Sequence, residues 1–213
     1  LILISLITLI IFASYGLIST TNGAPTREQK ELMEEYGGRY VFDKKLRDEI
    51  IQREKEREEA RQKVTLGDTF WEQREAIDKN LPQILSNGSK YYTGLFTAYD
   101  YKKIEPYIQK IKDYMGEEAF NKLQPNILLT SFYTTNKNGV EKDIPIEISV
   151  SISWDKTTYG LYGDEGAGFR LTETRRVGLG NFFNTFYLID NKFIRYKEDR
   201  TKQNYKSSTK DKQ

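Results

Sequence analysis

The sequence predicts an α+β protein in which N-terminal helices pack on a curved antiparallel β-sheet, preceded by a charged helical arm. Three observations carry that expectation. Ile144, Ile146, Ile148, Val150, Ile152 and Trp154 share one parity, and Pro145, Glu147, Ser149, Ser151 and Ser153 share the other. That is the two-residue period of a strand with one dry and one wet face. Between Thr69 and Leu123 the apolar residues recur at helical spacing instead, and after Pro125 the period becomes alternating. Upstream, the stretch from Lys44 to Lys63 is dominated by charge. Helices first and strands second is the order of an α+β fold, not of alternating βαβ units.

Residues Leu1 to Ile18 are apolar apart from Ser5, Thr8, Ser14, Tyr15 and Gly16, and no charge precedes Arg27. Residues 1–24 therefore read as a secretory signal or a membrane anchor. The hydroxyls and glycine after Ala13 favour the signal, with Thr21-Asn22-Gly23 as its cleavage neighbourhood. The expected location is secreted or extracytoplasmic, with membrane contact only if this segment is retained.

Residues 25–63 form the arm. Glu49 and Arg53, Lys55 and Glu59, and Glu59 and Lys63 stand four apart, giving helical ion pairs worth a few tenths of a kcal/mol each. No a/d seam of apolar residues runs through it, so the arm is expected to be a solvated spacer. Leu32, Met33, Tyr36, Val41, Phe42, Leu46, Ile50 and Ile51 are the residues able to dock it.

The globular domain is expected over residues 64–199. Thr69 and Glu72 have the spacing of a capping box, followed by a helical stripe of Phe70, Ile77, Leu81, Ile84 and Leu85. After the break at Ser86-Asn87-Gly88, the residues Tyr91, Tyr92, Leu95, Phe96 and Tyr99 read as a second, aromatic helical stripe. Asp100 is placed to cap a third helix ending at Gly116, and a short one covers Glu117 to Leu123. Strands follow over Ile127 to Thr135, the long central stretch, Phe169 to Val177, Phe182 to Ile189 and Lys192 to Lys197. Turns are expected at Asn136 to Gly139 and at Asp190-Asn191, and a flexible glycine-punctuated loop over Gly160 to Gly168. The polar tail, 200–213, is expected to be disordered.

Composition narrows the chemistry. The 213 residues include no cysteine and no histidine, which removes disulfides, thiolate nucleophiles, Cys/His zinc sites and Ser-His-Asp catalysis. A net charge of +2 leaves no nucleic-acid footprint. No motif for a cofactor or metal is present, and the 15 tyrosines suit a core or pocket lined by amphipathic rings.

Two stretches carry a family likeness: Tyr91 through Ile104, and Asn184 through Tyr196 with its tight acidic turn. Together they make residues 69–196 resemble the nuclear transport factor 2-like superfamily, a helix-covered, cone-shaped α+β fold. The resemblance implies binding of small apolar molecules, isomerase, cyclase or dehydratase chemistry, or a dimeric docking role. The His-dependent enzymes of that superfamily are out of reach for a chain without histidine.

The candidate pocket is Tyr92, Phe96, Tyr99, Tyr107, Ile148, Ile152 and Trp154, with core packing as the simpler fate of most of these residues. Asp100 with Tyr99 and Tyr101 is the local carboxylate–phenol cluster, and capping explains Asp100 more simply than catalysis. Glu173 is expected to pair with Arg175 or Arg176. Asn87-Gly88-Ser89 is an N-glycosylation triplet. The favoured function is a secreted, non-catalytic binding module for an apolar small molecule or a partner protein, with a homodimer as one form of the latter. A metal-free cone-pocket enzyme using a carboxylate and Tyr, and a membrane-anchored assembly subunit, are the alternatives.

Overall fold

The structure is a computed structural model that describes residues 19–197 except positions 138, 165, 167 and 182. The apolar run over 1–18 and the polar tail from 200 lie outside the described residues. The fold is α+β, with five α-helices among the described residues and a strongly curled mixed sheet that forms a half-barrel.

In chain order the strands are β1 (Ser19–Asn22), β2 (Gly38–Val41), β3 (Tyr91–Thr93), β4 (Asn126–Lys137), β5 (Val140–Asp164), β6 (Gly168–Leu179), β7 (Asn184–Ile189) and β8 (Lys192–Lys197). The helices are α1 (Arg27–Tyr36), α2 (Lys44–Arg61), α3 (Phe70–Asn80), α4 (Glu105–Met115) and α5 (Glu117–Leu123). A 3₁₀ turn, Tyr101–Ile104, leads into α4, and the Asp100 side chain accepts from Lys102 N as the sequence suggests.

The central strand is longer than its alternating stretch. β5 has 25 residues, about 80 Å of extended chain at 3.3 Å per residue. Its first part lies in a body sheet ordered β3-β4-β5-β2-β7-β8, and its second part pairs with β6 on one edge and β1 on the other. The described pairings are antiparallel except β2 with β7, which is parallel. β2 lies between β5 and β7, so the segment read as an arm contributes a strand to the middle of the sheet. Gly38 makes that placement possible: its φ is +143°, and a Cβ there would lie 2.4 Å from the Asn184 carbonyl oxygen.

The alternation does not run on one face throughout. Leu129 pairs with Ile148, Ser131 with Glu147 and Phe132 with Pro145, so the register of β4 against β5 shifts twice. A β-bulge of this kind moves side chains from one face to the other. Ile148, Val150 and Ile152 stay in the main core with Met33, Tyr40, Ile104, Ile111, Met115, Leu123 and Phe186, under α1, α4 and α5. Ile146 instead packs with Ile50, Leu85 and Tyr91 in a second cluster. Tyr91 and Tyr92 are neighbours on β3 and belong to different clusters, which places those clusters on opposite faces of the sheet.

The charged helix forms over Lys44–Arg61, but it is not a solvated spacer. Arg47, Ile50 and Arg57 are buried. Arg47 Nε donates to Glu147 Oε2 at 2.6 Å, Tyr91 OH to Glu54 Oε1 at 2.9 Å, and Arg57 Nη2 to Asp78 Oδ1 at 2.6 Å, while Arg57 Nη1 reaches the Leu81 carbonyl. Arg47, Ile50, Glu54, Arg57 and Arg61 are spaced 3, 4, 3 and 4 apart, a docking seam built from long amphipathic side chains. A hydropathy pattern registers such residues as polar, although their methylene stems cover apolar surface.

Two further expectations are corrected. Tyr91 to Tyr99 is not helical: Tyr91–Thr93 is an edge strand that pairs with Ser131 to Tyr133, and irregular chain follows Gly94. Tyr and Thr suit a half-buried pleated surface, and that tertiary fit prevails over the helical spacing. The capping box sits at Thr26 and Gln29 of α1, not at Thr69 and Glu72. Thr69 makes no side-chain cap, and its hydroxyl accepts from Gln73 Nε2 at 2.8 Å.

Candidate functional site

Six of the seven candidate pocket residues meet in one packed cluster. Tyr92 stacks on Phe132 with centroids 4.9 Å apart, Phe96 meets the same ring edge-on at 5.1 Å, and Tyr99 tilts against it at 5.7 Å. Tyr107 packs edge-on against Phe42 at 5.1 Å, and Ile148 and Ile152 are buried in the same core. These rings fill the space between helices and sheet with one another, the ordinary outcome for apolar periodicity. Trp154 stands apart, half-buried, beside Ile152 in a cleft of about 140 Å³ that Pro25, Gln29 and Leu123 also line.

The carboxylate–phenol cluster resolves into structural contacts. Asp100 caps, as above, and Tyr101 OH donates to the Phe96 carbonyl at 3.0 Å. Tyr99 turns to another strand, where its OH donates to Asp143 Oδ2 at 2.6 Å and Thr134 Oγ1 donates to Asp143 Oδ1 at 3.1 Å. Burial, and then the hydrogen bond to Asp143, push the Tyr99 phenol well above the usual tyrosine range. The phenol is thus held as a donor to the Asp143 side chain. Glu173 pairs with Arg175 at 3.1 Å, one of its two expected partners, and also with Arg170 at 3.6 Å, which was not expected. Among the described residues no group of three or more Asp or Glu is placed to hold a metal ion, and no helix is long and apolar enough to cross a membrane.

Two surface clefts flank α4. One of about 580 Å³ lies against α5 and is lined by Gln109, Lys112, Asp113, Glu117, Phe120 and Asn121. The other, about 360 Å³, opens between α4 and the β7–β8 turn, with Tyr114, Leu188 and Phe193 as floor and Lys110, Asp113 and Lys192 at the rim. Lys110 Nζ closes one side by donating to Asn191 Oδ1 at 2.7 Å.

The feature that sequence reading missed is the far half of β5, which pairs with β6, the strand expected over Phe169 to Val177. Their pairing runs from Ile152 with Leu179 to Asp164 with Gly168, and among the described residues β1 covers Asp155 to Thr158 on the other edge. Beyond Thr158 the described chain is a two-stranded ribbon. Tyr159 pairs with Thr172 and Tyr162 with Arg170, so a bulge sets Gly160 and Leu161 opposite Leu171. Phe169 and Leu171, two apart, project from one face. Leu161, Phe169 and Leu171 are 59%, 64% and 60% exposed, although they stand at neighbouring cross-strand positions. Among the described residues β6 pairs with β5 alone, so its outer edge carries unpaired backbone donors and acceptors. The signal was available in the sequence, since Phe169 and Leu171 alternate with Arg170 and Thr172. Reading Gly160 to Gly168 as a loop hid the strand that faces them. No family model matches this chain. No curated protein matches it either, and no solved structure does.

Proposed function

We propose that this chain is an exported, non-catalytic module that binds a partner protein through the β5–β6 ribbon. The observation that carries the reading is the trio Leu161, Phe169 and Leu171, held exposed side by side on a strand pair whose outer β6 edge no described strand covers. Exposed apolar side chains grouped in this way mark interaction surfaces. A free edge beside them suits an added strand, with main-chain bonds supplying affinity and alternate side chains supplying specificity. The filled aromatic core also supports this reading, because the candidate pocket residues spend their area on one another. Docking modules occur in the cone-shaped superfamily that the sequence resembles. The cleft floored by Tyr114, Leu188 and Phe193 supports a second reading, in which an apolar small molecule is held there.

Native mass spectrometry of the exported full chain tests both. The expected result is a complex with a second protein chain, foreign or identical, that is lost in the Phe169→Ser/Leu171→Ser double variant while the thermal midpoint stays within a degree or two. A bare monomer, or a complex that survives the double substitution, overturns the ribbon as contact element. A small-molecule adduct lost on Leu188→Ser would move the function to the cleft.

A further inference from the structure

We infer that Asn87 is a site of N-linked glycosylation, a modification that rests on the export proposed above but not on the ribbon. Asn87-Gly88-Ser89 is the sole Asn-X-Ser/Thr triplet in the 213 residues. The fold puts it on a tight turn, with one end anchored in the core and the other in solvent. Leu85 is buried at the base, its N–H donating to the Ser89 carbonyl at 2.9 Å, and Gly88 N–H closes the turn onto the Leu85 carbonyl at 2.9 Å. Ser86 fastens the turn to α2: its N–H and hydroxyl donate to the two Glu49 oxygens at 2.7 and 2.8 Å, and Arg53 holds the same carboxylate at 2.8 Å.

Asn87 itself is exposed. Its Oδ1 accepts from Ser89 N–H at 2.9 Å, while among the described residues its Nδ2, the atom that takes the sugar, makes no hydrogen bond. Gly88 has φ +80° with no atom within 4 Å of where a Cβ would stand, so the tip of the turn faces open space. A glycan added here displaces no packed side chain and breaks no bond that holds the turn. The residue after Asn87 is not proline and the next carries a hydroxyl, which is what a transferase requires of its acceptor.

The co-reactant is an oligosaccharide linked through a diphosphate to a membrane lipid. Asn87 Nδ2 forms a bond to the anomeric carbon, the bond from that carbon to the diphosphate oxygen breaks, the lipid diphosphate leaves, and one amide proton passes to a base of the transferase.

Translation of the full chain in the presence of endoplasmic-reticulum microsomes tests this. The expected product is protected from added protease and migrates one glycan step slower. Endoglycosidase removes that step, Asn87→Gln and Ser89→Ala abolish it, and Ser89→Thr retains it. A protected product with no slower form overturns the site while leaving export standing, as does a slower form that survives Asn87→Gln. A product that stays open to protease overturns export and the modification with it. Because the exposed Asn87 side chain is held, among the described residues, by a single hydrogen bond, from the Ser89 N–H, the urea midpoints of Asn87→Gln and the unmodified chain should lie close together, which separates lost modification from lost folding.

Discussion

The two halves of β5 belong to one continuous strand and meet opposite fates. From Ile146 to Ile152 it is covered on both faces, by α1, α4 and α5 on one side and by α2 on the other. From Tyr159 to Asp164 its one partner strand among the described residues is β6, and Leu161 stands in solvent beside Phe169 and Leu171 of that strand. The first half alternates and is rich in residues that suit a pleat, while the second sets Gly160 and Gly163 among Tyr159, Leu161 and Tyr162 and is extended all the same. What separates them is the number of layers, and stability follows the layers while binding potential follows their absence.

The sharpest way to break this comparison is a matched pair of phenylalanines. Phe186 is fully buried and stacks on Tyr40 with centroids 4.5 Å apart. Phe186→Ala should cost about 3–5 kcal/mol in urea unfolding. Phe169→Ala, on the ribbon, should stay within about 0.5 kcal/mol. Equal losses at the two positions would mean that the ribbon is as packed as the body.

The next effect tests whether the charged helix truly covers a face. Arg47 and Glu147 are both largely buried, and the Glu147 carboxylate also accepts from Thr130 Oγ1 at 3.1 Å. Arg47→Met should destabilise by about 3 kcal/mol, because the carboxylate left behind loses its cation in a poorly solvated place. Arg47→Met with Glu147→Leu should recover much of that loss. A single variant with the wild-type urea midpoint would return α2 to the status of a solvated spacer.

A smaller, pH-dependent effect distinguishes the body by its phenols. Burial first, and for Tyr91 and Tyr99 a donated hydrogen bond to Glu54 and Asp143 second, raises the Tyr40, Tyr91 and Tyr99 phenols above their ordinary value of 10.0. A folded-state value above the unfolded one contributes stability that is complete below about pH 10 and is lost as pH rises toward the folded value. Alkaline unfolding should therefore steepen above pH 10, and Tyr99→Phe should soften it. A phenolate absorbance titration in which these three phenols ionise near pH 10 in the folded protein would contradict their burial.

Much of the secondary structure was legible residue by residue. Lys192–Lys197 and Glu117–Leu123 form the expected strand and helix, and the Asp190-Asn191 turn has φ +47° and +63° at its two residues, as a two-residue hairpin requires. The candidate site was less legible. Tyr92, Phe96, Tyr99 and Tyr107 were rightly grouped, since they converge on one core, but nothing in their spacing told a filled core from a hollow one. That depends on whether Phe132 and Phe42, far away in the chain, occupy the space between the rings. The ribbon was hidden for the converse reason. Glycines at 160, 163, 166 and 168 argue locally for a loop, and it is the ladder against β6 that holds Tyr159 to Asp164 extended.

By itself the sequence settled what short range can settle: the α+β class, the elements from Glu105 to Leu123 and from Lys192 to Lys197, the Asp190-Asn191 turn that demands positive φ, and the exclusion of cysteine and histidine chemistry. Tertiary structure decided which face each strand residue takes, because the second of the two register shifts, between Ser131 and Phe132, leaves Ile146 unpaired with β4 and on the opposite side from Ile148. It also decided that a helix reading as all charge would be buried along one seam. A buried Arg47 is stabilised by a carboxylate 100 residues away, and no local pattern of hydropathy contains that distance.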